Sequence, residues 1–135
     1  MITLLRGTVE AKGKGYLTLL TPSGVGYEVR MSNLELTQYA VSEGTTIHTY
    51  LKVAEQALEL YGFPSIQKRE FFMKLLTVSG VGPKSAMNIL ALGSIDDIKS
   101  AIVRGDVKYL TAVQGMGKKT AERMVVELKS KIAVK

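Results

Sequence analysis

A nine-residue segment occurs twice in the second half of the chain. Val78-Ser-Gly-Val-Gly-Pro-Lys-Ser-Ala86 returns, 35 residues later, as Val113-Gln-Gly-Met-Gly-Lys-Lys-Thr-Ala121. Each copy sets Gly, a large apolar residue and Gly between two stretches of helical periodicity. Two glycines so close together break a helix and permit a tight reversal. The repeat therefore predicts two helix-turn-helix units. The apolar spacing predicts helices at 66–76, 84–90, 94–103, 106–113 and 118–132. Ser94 and Asp106 are suited to cap helices, and Gly93 and Gly105 to stop them. Ala121, Met124, Val125, Leu128 and Ile132 form the apolar stripe of the last helix.

This is the helix-hairpin-helix pattern. Gly80, Gly82, Gly115 and Gly117 are expected to allow backbone angles and close approach that a Cβ would forbid. The turn opens a helix, whose unpaired N–H groups and dipole favour an anion. Val81 and Met116 are expected to point inward as anchors. Lys84, Lys118 and Lys119 add charge, and Ser85 and Thr120 can donate a hydroxyl. Such a site holds backbone phosphates and reads no bases. Neither copy has the Gly-x-x-x-x-Gly-Lys spacing of a nucleotide phosphate loop.

The charge distribution agrees. Residues 1–63 carry five basic and six acidic groups, a net of −1, whereas residues 64–135 carry 13 basic and six acidic groups, a net of +7. A basic half marks a nucleic-acid surface or a Lys-rich solvated helical face. The absence of Cys excludes a disulfide scaffold, a zinc finger and thiol chemistry, and fits a reducing, cytoplasmic setting. His48 is the only His, and no metal site or cofactor is expected. No apolar run is long enough to span a membrane, and charge near the N-terminus argues against a signal peptide.

The first half reads differently. Short strands are predicted at 2–9, 16–20, 25–29, 45–53 and 57–61, with a short helix at 33–40 capped by Ser32. Five strands and one helix fit a small Greek-key barrel of the OB type better than a sandwich. The expectation is an α+β chain: a five-stranded OB-fold barrel over residues 1–63, then an all-α tandem helix-hairpin-helix domain over 64–135, with Pro64 at the boundary.

Several segments taken together are more specific. Met1-Ile-x-x-Leu-Arg-Gly7, Gly24-Val-Gly-Tyr-Glu-Val29, Leu60-Tyr-Gly-Phe63, Gly80-Val-Gly-Pro-Lys84 and Gly115-Met-Gly-Lys-Lys-Thr-Ala-Glu-Arg123 closely resemble the RuvA family of bacterial Holliday junction proteins, in the same order over essentially the whole chain. The resemblance implies a homotetramer that holds an open, square-planar four-way DNA junction for recombination and repair. It implies that a second tetramer can complete an octamer. It implies no catalytic site, a RuvB-type AAA+ motor as partner, and a RuvC-type resolvase acting on the same junction. Family members continue through a linker into a small motor-gripping domain. The sequence stops at Lys135, where that linker would begin, so a form shortened to two domains is expected, without the motor contact.

The resemblance also implies an acidic pin of two adjacent acids before the last barrel strand. Glu55 and Gln56 stand there, so one carboxylate remains; the other reading of Glu55 is a solvated turn residue. Arg123 and Lys129 flank the apolar stripe of the last helix and either contact phosphate or, with Glu122 and Glu127, form ion pairs to a second tetramer; solvation is an equal reading for Lys129. Phe71, Phe72 and Met73 are read as core rather than a base-stacking platform. Tyr16, Tyr27, Tyr39 and Tyr50 are assigned to barrel packing or a subunit interface. A glycosylase or lyase needs a catalytic Asp beside a base pocket, but Asp96 and Asp97 sit at a helix start, where capping explains them. No paired carboxylates suit a metal-dependent nuclease. A generic duplex-binding module is the remaining alternative, and the barrel motifs argue against it.

Overall fold

The computed structural model describes residues 1–133; Val134 and Lys135, the end of the expected second domain, lie outside the described residues. The chain forms two compact units, Met1–Arg69 and Glu70–Lys135.

The first unit is a closed five-stranded barrel of β1 (Leu4–Gly13), β2 (Tyr16–Leu20), β3 (Gly26–Arg30), β4 (Gly44–Ala54) and β5 (Ala57–Phe63), in the order β1-β2-β3-β5-β4. All neighbours are antiparallel except β3 and β5, which pair in parallel through Val29–Leu60 and Arg30–Tyr61. Strand β1 runs four residues past the predicted Val9. A register shift between Val9 and Ala11 lets it bend and continue against β2 while its first half pairs with β4. Period-two alternation sends Leu17, Leu19, Val29 and Ile47 into the core. Gly62 lies where the barrel is tightest: a methyl group there would stand 2.4 Å from a Val29 methyl and 2.9 Å from one of Ile47. Tyr39 is buried, and Tyr27 packs against the same core, as barrel packing requires.

Helix α1 (Asn33–Leu36) is shorter than expected. Ser32 does cap it, its Oγ accepting from the Glu35 amide at 3.1 Å. Past Leu36, the amides of Thr37 and Tyr39 turn to carbonyls three residues back. Lys12 crosses to this end and donates to the Leu36 and Tyr39 carbonyls at 3.1 and 2.6 Å, as a cation at a helix C-terminus should. Glu35 is buried and ion-paired to Lys68, and Arg69 Nε donates to the Thr49 carbonyl. The start of α2 (Ile66–Leu76) is thereby fastened to the barrel.

The second unit continues with α3 (Pro83–Leu90), α4 (Ile95–Arg104), α5 (Val107–Leu110) and α6 (Lys118–Ala133). Phe71, Phe72 and Leu75 of α2 are buried, so the paired phenylalanines are core, with Lys99 5.7 Å above the Phe71 ring; Met73, expected in the core with them, is exposed because it lies off the buried face of the helix. The α6 stripe behaves as expected at Ala121, Met124 and Leu128, all fully buried. Helix α5 stops at Leu110 because the second glycine turn follows; Ala112 and Val113 bond three residues back. Gly105 takes the left-handed φ of 72° that ends α4. Asp97 completes a capping box with Ser94, which accounts for this carboxylate structurally.

Candidate nucleic-acid interface

The repeat in sequence is a repeat in structure, bond for bond. In the first turn the Val81 amide donates to the Val78 carbonyl at 3.0 Å, and Ala86 to Gly82 at 2.9 Å. In the second, Met116 donates to Val113 at 3.1 Å, and Ala121 to Gly117 at 3.1 Å. The same positions are buried in both: Val78 and Val113, Val81 and Met116, Ala86 and Ala121. Val81 and Met116 are thus inward anchors. Their amides are used within the turn, so what they give the site is its shape.

The four glycines divide into two kinds. Gly80 and Gly115 have φ of +91° and +83°, the left-handed region that disfavours any Cβ. Gly82 is extended, with φ −98° and ψ −179°, and Gly117 is not at positive φ either. The expectation that all four need forbidden angles therefore holds for one glycine of each pair. A methyl group added to Gly82 or Gly117 would also meet nothing within 4 Å. Neither backbone strain nor internal packing demands glycine there. Both positions face open space beside the starts of α3 and α6.

The amides at these starts have no partner in the helix, because the first turn of any helix lacks acceptors for its N–H groups. Elsewhere the chain satisfies them with side chains. Ser32 caps α1, Ser65 caps α2, Ser94 caps α4 and Asp106 caps α5. Helix α3 begins at Gly82 without a side-chain cap, and Gly117, before α6, has no side chain to offer. Neither α3 nor α6 has an acid in its first turn, whereas α4 has Asp96 and Asp97. Pro83, lacking an N–H, leaves Lys84 and Ser85 to present amides in the first copy; Lys118, Lys119 and Thr120 do so in the second. Lys84, Lys118 and Lys119 are exposed, and Ser85 and Thr120 are half-buried. The result is two uncapped, positively flanked helix ends, which suit singly or doubly charged oxyanions.

Arg123 does not stand free beside these lysines. Its Nη1 donates to the Ser79 carbonyl of the first turn at 3.3 Å. Nothing in the sequence periodicity linked residues 79 and 123. Only the packing of α6 against the first turn reveals the contact.

Glu55 and Gln56 form the two-residue loop between β4 and β5, with Ala54 and Ala57 paired across its base. Both are exposed, and so are Val53 and Leu58, which face each other one pair further down. Behind them Glu59 accepts from the Tyr61 hydroxyl at 3.0 Å and pairs with Arg30 at 3.4 Å. Burial first, and then the bond to Glu59, push the Tyr61 phenol up to about 12.

Comparison with known proteins bears on the same two regions. The family described as RuvA N terminal domain matches residues 1–62, and the SAM-like Helix-hairpin-helix tandem matches residues 72–130. A Chloroflexus aggregans protein called Holliday junction branch migration complex subunit RuvA is 44% identical over 133 residues, covering 98% of this chain and 68% of its own. Proteins of the same name from Thermoanaerobacter sp. (strain X514) and Pseudomonas fluorescens are each 42% identical, covering 98% and 97% of this chain and 71% and 65% of theirs. With a barrel that matches one family description, a hairpin tandem that matches another, and relatives at this identity across nearly its full length, the chain belongs to the RuvA family.

Proposed function

We propose that this protein binds four-way DNA junctions as a non-catalytic subunit, gripping backbone phosphates with both hairpins. The observation that carries the reading is the pair of uncapped helix ends. Of the described helices, only the two that follow a Gly-x-Gly turn lack a side-chain cap, and both are flanked by exposed lysines. Gly82, Lys84 and Ser85 form one phosphate site, and Gly117, Lys118, Lys119 and Thr120 the other, with Gly80, Val81, Gly115 and Met116 shaping the turns. Residues 1–63 and 64–135 serve as separate domains, barrel and clamp.

A hairpin pair sees the same backbone on a junction arm as on linear duplex, so it cannot select a junction alone. Selection comes from symmetry: four copies engaging four arms raise the effective concentration of each contact. The working form is accordingly a homotetramer in the cytoplasm. It presents the junction to a RuvB-type motor. Gel shift of a four-way junction against duplex of equal length, with mass from light scattering, tests this. Junction preference and tetramerisation should be lost together; an obligate monomer with undiminished preference refutes it.

A further inference from the structure

The two hairpin turns are not held equally. In the first, Arg123 Nη1 donates to the Ser79 carbonyl at 3.3 Å, joining residues 44 positions apart. Thr120 is close as well: a methyl group placed on Gly80 would lie 3.7 Å from both Arg123 Nη1 and Thr120 Oγ1. Among the described residues the second turn shows no such contact at its glycine: a methyl group on Gly115 would meet nothing within 4 Å. The repeat explains the difference. Shifted back by 35 residues, Thr120 and Arg123 correspond to Ser85 and Asn88. An Asn side chain falls well short of an Arg.

We infer that Arg123 is a positioning residue for the first phosphate site: it fastens the Gly80 turn to α6, so that both sets of open amides are presented in one fixed relation. This rests on the phosphate-clamp reading above. A turn hinged on a left-handed glycine is the softest part of a hairpin, and a clamp that must meet two phosphates at once gains from preorganisation. The guanidinium is suited to this because its planar fork of donors is rigid and always charged, whereas a Lys ammonium is a mobile point charge. An exposed Arg bound to a carbonyl also leaves the fold's core untouched, so its loss should not unfold the helices.

The test is a double-mutant cycle on a fixed four-way junction, measured by fluorescence anisotropy across a salt series. Arg123→Gln should weaken binding about fivefold. Arg123→Lys should not restore it, since the charge is kept and the geometry is not. In the Arg123→Gln background, Lys84→Ala should cost less than in the wild type, while Lys119→Ala should keep its full cost. A plain phosphate ligand behaves otherwise: it is rescued by Lys, adds independently with Lys84, and lowers the salt slope by about 0.9 per phosphate lost. That pattern, or an Arg123→Gln protein that binds like wild type, overturns the proposal. Wild-type protein that shows no junction binding would instead overturn the function proposed above.

Discussion

A glycine scan of the two turns should separate folding from binding. Gly115 sits at φ +83° with open space around it, so its replacement by Ala meets no clash and pays only for the backbone conformation. An L-residue in the left-handed region costs about 1–2 kcal/mol, which in a domain of this size lowers Tm by about 5–10 °C. Gly82 is extended and equally open, so Ala fits there without strain. Ala is a poorer helix cap than Gly by a few tenths to ~1 kcal/mol, and it regains about 0.4–1 kcal/mol by restricting the unfolded chain. Folding stability of Gly82→Ala should therefore stay near that of wild type. Binding should not. On the proposed function the new methyl crowds a phosphate that approaches the start of α3, and losing one charge-assisted hydrogen bond there costs about tenfold in affinity. Gly117→Ala should behave like Gly82→Ala, and Gly80→Ala like Gly115→Ala. The assays are thermal unfolding by circular dichroism and junction titration at fixed salt. A Gly82→Ala protein that melts as early as Gly115→Ala, or that binds junctions like wild type, would show that open access is not why glycine stands there.

Three other outcomes can be checked. Lys84→Ala and Lys119→Ala should each flatten the dependence of log affinity on log salt, equally for junctions of different sequence; a variant that alters sequence preference instead would contradict phosphate clamping. Asp106 is held below the usual carboxylate range, first by the amide of Tyr109 and then by Arg104. Its contribution is complete above the unfolded value of about 3.9 and is lost as pH falls through the lower folded value, so helical stability should drop in acid and the drop should shrink in Asp106→Asn, as seen by acid titration of the circular dichroism signal. Glu55→Gln should tighten junction binding modestly and Gln56→Asp should loosen it, both at low salt only, because a carboxylate near crossover phosphates repels them across a screened gap; weaker binding by Glu55→Gln would leave Glu55 a solvated turn residue.

Local chemistry was legible in the sequence wherever one residue type has one physical use. The caps at Ser32, Ser94 and Asp106, the stop at Gly105, the strand β2 and the helix α2 all follow from short-range rules and stand where those rules put them. Long-range pairing was not legible. The bulge that carries β1 on to Gly13 and the parallel β3–β5 pairing that closes the barrel depend on partners tens of residues away. At the site, the repeat announced two equal turns, and four equal glycines with them. The structure divides the glycines in the same way in both turns and breaks the symmetry of the copies at one side chain. Glycine is favoured by conformation at Gly80 and Gly115, whereas at Gly82 and Gly117 neither a positive φ nor a neighbouring atom calls for it. Arg123 reaches Ser79, while its counterpart in the repeat is the shorter Asn88. On the proposed function, the duplicated motif offers two phosphate sites. The copies diverge at Arg123 and Asn88, and the contact that Arg123 makes between α6 and the first turn is one that no period in the sequence encodes.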